Sequence, residues 1–182
     1  MEAVIRSSYR PYRFAAALIT NVKKDPLKLL DEIRLGGSAG IQFCRPDVVV
    51  SERHLVAAFA AAATTSLSGV ARSRRIEVEY LLRLSCQRQI QDALKVAGLR
   101  GDEDKIIAAA ITTSGTDPET LLYKIAEELG GTIEPFRPIA HPTALMEIYN
   151  ISREQLESVP ASDPAAALEL LIIERVVSSY VG

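Results

Sequence analysis

The chain has 182 residues, 48% of them apolar and 24% charged, which suits one folded domain and excludes a disordered class. A formal charge of −2 and a pI near 5.8 exclude a generally basic surface, so any RNA contact must come from a local patch. Residues 1–13 lack an apolar leader core, and no apolar run approaches the roughly 20 residues of a membrane helix, so a cytoplasmic location is expected.

Phe14–Ile19 is a continuous apolar run and predicts a buried strand. Asp25-Pro26 then starts a helix, with aspartate as cap and proline in the first position; Leu27, Leu30 and Ile33 form its stripe and Gly36-Gly37 its end. Ile41–Cys44 and Val48–Val50 read as extended pieces around a turn at Pro46-Asp47. Ser51 caps an alanine-rich helix over Glu52–Ala63, and 64–73 reads as a polar loop.

From Ile76 to Leu84, apolar and charged residues alternate with Leu81 as the exception, which predicts a half-buried strand. A helical stripe of Ile90, Leu94 and Ala97 follows, closed by Gly98. Lys105–Thr113 predicts another buried strand, so a strand–helix–strand crossover of the parallel kind is open. Asp117-Pro118 starts a helix carrying Leu121, Leu122, Ile125 and Leu129, and 132–138 reads as a proline-bounded connection. Further helices are predicted over Thr143–Tyr149, from Ser152 to Val159, and from Asp163-Pro164 to about Tyr180. That last helix is apolar on two sides, with Leu168, Ile172 and Val176 on one and Leu170, Ile173 and Val177 on the other. It is either deep in the core or half-covered by a partner. The expected architecture is one α/β domain over residues 1–182, with a core at 14–180. It has a small mixed or antiparallel sheet of about three to five strands, several helices and an apolar C-terminal helix.

Catalytic patterns are sparse. Gly36-Gly37 and Gly40 follow a helix, the wrong order for a phosphate-binding turn, and Asp102-Glu103-Asp104 reads as a solvated turn. Cys44 and Cys86 have no metal-ligand spacing and read as reduced thiols. His54 and His141 have no companion histidine, so neither a metal nor another cofactor is expected. An enzyme using Cys86 or His54 and a homodimeric scaffold remain as alternatives to a binding protein. Arginines are unevenly placed. Arg72, Arg74 and Arg75 precede the alternating segment, Arg83 lies near its end and Arg88 follows, and Arg6, Arg10 and Arg13 lie near the N-terminus with Tyr9 and Tyr12 between them. Such clusters either hold single-stranded RNA or sit on solvated loops and a frayed N-terminus.

The run Ile76–Ser85, continued by Arg88-Gln89-Ile90-Gln91-Asp92-Ala93-Leu94 and Ala97-Gly98, resembles the kinase-binding subunit family of the KEOPS (EKC) complex, the PRPK-binding protein (TPRKB) family. Val50–Leu55 with Ala57 and Ala58, and Ile148-Tyr149-Asn150-Ile151-Ser152, resemble two further elements of it in the same order. Many relatives place an aromatic residue where this chain has Ala97. The resemblance, to an archaeal-type member, implies a non-catalytic subunit acting in threonylcarbamoyl modification of tRNA adenosine. Such a subunit docks on the complex's small atypical kinase/ATPase and helps recruit tRNA by its acceptor end. Under that reading the kinase face is expected at Ile148, Tyr149, Ile151, Leu170 and Ile173, and the tRNA contacts at Arg72, Arg74, Arg75, Arg83 and Arg88.

Overall fold

A computed structural model describes residues 2–33 and 38–179. Gly36-Gly37 and Tyr180, expected to bound two helices, lie outside the described residues.

Strands β1 (Val4–Tyr9) and β2 (Tyr12–Thr20) form a hairpin. Beyond α1 (Pro26–Glu32) and β3 (Ala39–Cys44), a 3-10 turn at Pro46–Val48 leads into α2 (Glu52–Leu67). Next come α3 (Ile76–Leu84), α4 (Ile90–Ala97), β4 (Lys105–Thr112), α5 (Pro118–Leu129) and β5 (Thr132–Glu134). The described chain ends with α6 (Pro142–Ile148), α7 (Arg153–Ser158) and α8 (Pro164–Ser178).

The five strands make one antiparallel sheet in the order β1-β2-β4-β3, and β5 continues the β1 edge by pairing Ile133 with Ile19. Phe14 lies opposite Ile111 and Ile41 opposite Ala110. The sheet is covered on both faces, which is why β2 and β4 read as unbroken apolar runs rather than alternating ones. One face packs Phe14, Leu18, Ile107 and Ile111 against α2 and α3, and α8 packs in turn on those two helices. The other packs Ile19, Phe43 and Ile106 against α5 and α1. Alanines 58, 61 and 62 let α2 lie close to the sheet, where Phe59 stacks on Phe14 at 4.7 Å between ring centroids.

Three helix starts follow from the aspartate-proline pairs. Asp25 accepts from the Leu27 and Lys28 amides, Asp117 from Thr120, and Asp163 from Ala166. Ser152 and Gln155 form a reciprocal capping box on α7. Ser51 caps α2 by accepting from the His54 amide.

Several expectations are corrected. Ile76–Leu84 is a helix, not a strand, because its hydrophobic set also fits a helical face: Tyr80, Leu81 and Leu84 are buried together. β4 is antiparallel to both its neighbours, so the strand–helix–strand unit is not a parallel crossover. Helix α2 runs on to Leu67, with the Thr64 and Thr65 hydroxyls donating back to the Ala60 and Ala61 carbonyls. Val48 sits in the 3-10 turn rather than a strand, and residues 132–134 form the short strand β5. The N-terminal arm is the paired strand β1, and its arginine Arg6 is held by Glu2 at 2.7 Å and Glu119 at 2.6 Å.

Candidate functional site

The loop that joins α2 to α3 carries Arg72, Arg74 and Arg75, and a buried ion pair on α3 lies beneath it. Glu79 and Arg83 stand one helical turn apart on α3, with side chains 0% and 1% exposed. The Arg83 Nε donates to Glu79 Oε1 at 2.8 Å, and a second guanidinium nitrogen reaches the same oxygen. Glu79 also accepts from Thr65 Oγ1 at 3.2 Å and from the amides of Arg72 at 2.9 Å and Ser73 at 3.0 Å. One carboxylate thereby fixes the loop leading into α3. Arg83 reaches on to Ser179 Oγ at 3.2 Å, just past α8.

The five arginines expected to meet RNA therefore separate. Arg83 is corrected to a core residue, because a helix turns it inward toward Glu79 where a strand would have left it facing solvent. Arg72 is exposed and donates to the Ser179 carbonyl at 3.2 Å; partial burial, then the charges of Arg83 and Arg88, lower its pKa. Arg88 is exposed beyond the end of α3. Arg74 and Arg75 are exposed at the mouth of a cleft of about 560 Å³, whose walls include Tyr12, Ile33, Gly40 and Glu77. Arg75 Nε contacts Glu77 Oε1 at 2.5 Å, and Arg74 has no ion-pair partner among the described residues. The cleft thus combines exposed guanidinium groups, an aromatic ring and a nearly buried carboxylate.

A second concavity has the opposite character. A groove of about 710 Å³ runs between α2 and α8 beside β1, floored by Ile5, Val56, Ala57, Ala60 and Ile173. Leu170 is 40% and Val177 47% exposed on the same helix. With Ile173 they recur at helical spacing, so α8 buries Leu168, Ile172 and Val176 inward and keeps a second apolar stripe outward. Arg53 and Glu169 bridge α2 to α8 at 3.4 Å along the rim.

The residues expected at a kinase face are not one patch. Leu170 and Ile173 stand on the outer stripe of α8. Ile148 is half-buried and lines a separate depression with Cys86 and Arg175. Tyr149 and Ile151 are 3% and 5% exposed, so their side chains are corrected to core. The Tyr149 hydroxyl lies 2.8 Å from the Val48 carbonyl and 3.1 Å from that of Leu84, and the ring meets His54 edge-on. This anchors the end of α6 to the end of α3.

The two candidate reactive groups are placed structurally. His54 is fully buried with Nε2 3.1 Å from the Leu84 carbonyl, and burial pulls its pKa down to about 4. It is a neutral imidazole that donates through Nε2–H. Burial pushes the Cys86 thiol up to about 12, ahead of the opposing influence of Arg175 and Arg83, so it holds its proton at neutral pH. Cys44 and Cys86 are free thiols. Among the described residues, no three His, Cys, Asp or Glu side chains converge as metal ligands, and no helix is long and apolar enough to cross a membrane.

Sequence reasoning grouped Tyr12 with the N-terminal arginines rather than with Arg74 and Arg75, and it missed Gly40 and Glu77 as cleft residues and Val56, Ala57 and Ala60 as groove residues. The available signal for the groove was small and apolar residues at 56, 57 and 60 on a capped helix, one helical face of α2.

The family model described as kinase binding protein CGI-121 matches residues 19–179. No curated protein sequence matches the chain.

Proposed function

The chain belongs to the kinase binding protein CGI-121 family, and from that premise we propose that it is a two-sided adaptor holding a kinase on one surface and tRNA on another. The kinase side is the apolar stripe of α8, Leu170, Ile173 and Val177, with the adjoining α2 groove. The observation that carries this reading is that α8 presents this stripe outward although its opposite side already fills the core. An outward apolar stripe beside an open groove is the arrangement by which one helical surface receives a partner.

The tRNA side is the Arg74–Arg75 cleft, with Arg72 and Arg88 as flanking charges. Guanidinium groups grip phosphate in bidentate fashion, and an aromatic wall accepts an unpaired base. The likeness to the KEOPS kinase-binding subunits supports a place in threonylcarbamoyl modification of tRNA, in the cytoplasm, with the catalysis on another subunit. The neutral states of half-buried Cys86 and fully buried His54 favour an adaptor over an enzyme that uses either group.

Filter binding of tRNA across a salt series tests the RNA side. Arg74→Glu with Arg75→Glu should weaken binding at low salt and flatten the dependence of log affinity on log salt by about one to two. An unchanged slope would overturn the assignment.

A further inference from the structure

The apolar stripe of α8 carries one charge that the fold does not use. Glu174 is exposed, and its neighbours three and four positions away along the helix are Leu170, Leu171, Val177 and Ser178. Those are the positions that meet it on the helix surface, so no cation of its own helix stands beside it. Arg175 turns elsewhere, donating to the Asn150 carbonyl at 2.9 Å and to Gln155 Oε1 at 3.2 Å. The other charges around the groove satisfy one another: Arg53 pairs with Glu169, and Arg6 with Glu2 and Glu119. Glu52 on the groove wall and Glu174 on the stripe are left without an ion-pair partner among the described residues. The unpaired charge framing this apolar surface is therefore negative.

We propose that Glu174, with Glu52, selects the occupant of this face: a helix of the kinase whose apolar side carries a lysine or arginine, rather than a second copy of this chain. This rests on the kinase reading given above and adds the chemistry of the docking segment to it. A groove between two helices, with apolar anchors at helical spacing, is shaped for a third helix. A carboxylate ringed by leucine and valine loses its water when a partner covers them, and that cost is offset only where the partner brings a cation. A second copy cannot bring one. If two α8 stripes packed in parallel, Glu174 would meet its equivalent directly. If they packed antiparallel with Leu170 opposite Val177, the two-fold axis would pass between Ile173 and Glu174 and again bring the two carboxylates together. The same acids repel a polyanion, which keeps tRNA on its own side of the molecule.

Biolayer interferometry of the full chain on the immobilised small atypical kinase, at low and high salt, tests this together with sedimentation equilibrium of the chain alone. The unmodified chain should sediment as a monomer. Glu174→Lys should weaken kinase binding by about tenfold or more at low salt, largely through slower association, and the difference should shrink at high salt. Glu174→Leu makes the stripe wholly apolar and should turn the isolated chain into a concentration-dependent dimer. Glu174 is exposed, so thermal melts of both variants should match that of the unmodified chain. Unchanged kinase affinity in Glu174→Lys, with Ile173→Glu still abolishing binding, would overturn the charge assignment and leave the kinase reading standing. Tighter binding by Glu174→Lys would do the same and make the docking segment acidic. Full kinase binding by Ile173→Glu would overturn both. A dimer of the unmodified chain, or a monomer of Glu174→Leu at every concentration, would contradict the exclusion of a second copy by Glu174.

Discussion

The cleft before α3 and the groove between α2 and α8 differ in how the fold builds them. The cleft is polar and depends on charge: a loop fixed by Glu79 carries Arg74 and Arg75 to its mouth, and Glu77 is wedged over Gly40 inside. The groove is apolar and depends on shape, with half-buried Val56, Ala57, Ala60 and Ile173 between two helices that already meet the core on their inner sides. Chemistry this different suits two partners of different kinds, a polyanion and a protein. It also predicts that the two surfaces fail independently under substitution, since α3 frames the cleft while the groove belongs to α2, α8 and β1.

The largest expected effect comes from inside that comparison. Arg83→Met leaves the Glu79 carboxylate buried without its cation and should destabilise the fold by about 3–5 kcal/mol, read by urea denaturation. The Arg72–Arg75 loop depends on the same carboxylate, so in conditions where the variant is folded its RNA affinity should fall before its kinase affinity does. A loss below about 1 kcal/mol would mean that the pair does not organise the loop.

His54 belongs to neither surface and sets the pH range in which both can be compared. Its folded pKa of about 4 lies below its ordinary value near 6.5, so the unfolded chain binds the extra proton first. The stabilisation is present above pH 6.5 and is lost as pH falls toward 4. The loss amounts to about 2 kcal/mol by pH 5 and about 3 kcal/mol in full. Denaturation midpoints at pH 7 and pH 5 should differ accordingly, and His54→Gln should remove most of that difference.

A smaller effect separates the Ile-Tyr-x-x-Ser element from the partner face. Tyr149→Phe removes a hydroxyl that caps the Val48 carbonyl and should cost about 1 kcal/mol. Kinase and RNA affinities should both stay unchanged, because the side chain is internal. A kinase-binding defect without a stability change would put Tyr149 on the interface after all.

Much of the fold was legible because its signals were local. Each Asp-Pro pair marked a helix start, and the apolar runs of β2 and β4 marked strands covered on both faces. The failure at Ile76–Leu84 came from a segment that satisfies two periods at once. Ile76, Val78, Tyr80, Leu82 and Leu84 alternate, but Tyr80, Leu81 and Leu84 also share a helical face. Glu79 and Arg83 four residues apart were the deciding signal: a strand would leave two opposite charges in solvent, whereas a helix pairs them. Glutamates in the first turn and arginine in the last are also the order a helix dipole favours. The error carried into the site, since a strand aims Arg83 outward.

The candidate surfaces were legible in part for a different reason. Leu170 and Ile173 could be read from one helix, because their exposure follows from the helical period. Tyr149 and Ile151 could not, since whether an apolar motif residue faces a partner or the core depends on where α3 and the 3-10 turn lie. Glu77 and Gly40 were invisible for the same reason. They meet only once β3 and α3 are packed, 37 positions apart in the sequence.

The independence of the two surfaces is tested most directly by one crossed experiment. Ile173→Glu and the Arg74→Glu, Arg75→Glu pair are each assayed for co-elution with the small atypical kinase and for tRNA binding. Ile173→Glu should lose the kinase and keep tRNA, whereas the double arginine variant should lose tRNA and keep the kinase. Loss of both partners by either folded variant, or of neither, would contradict the two-surface account.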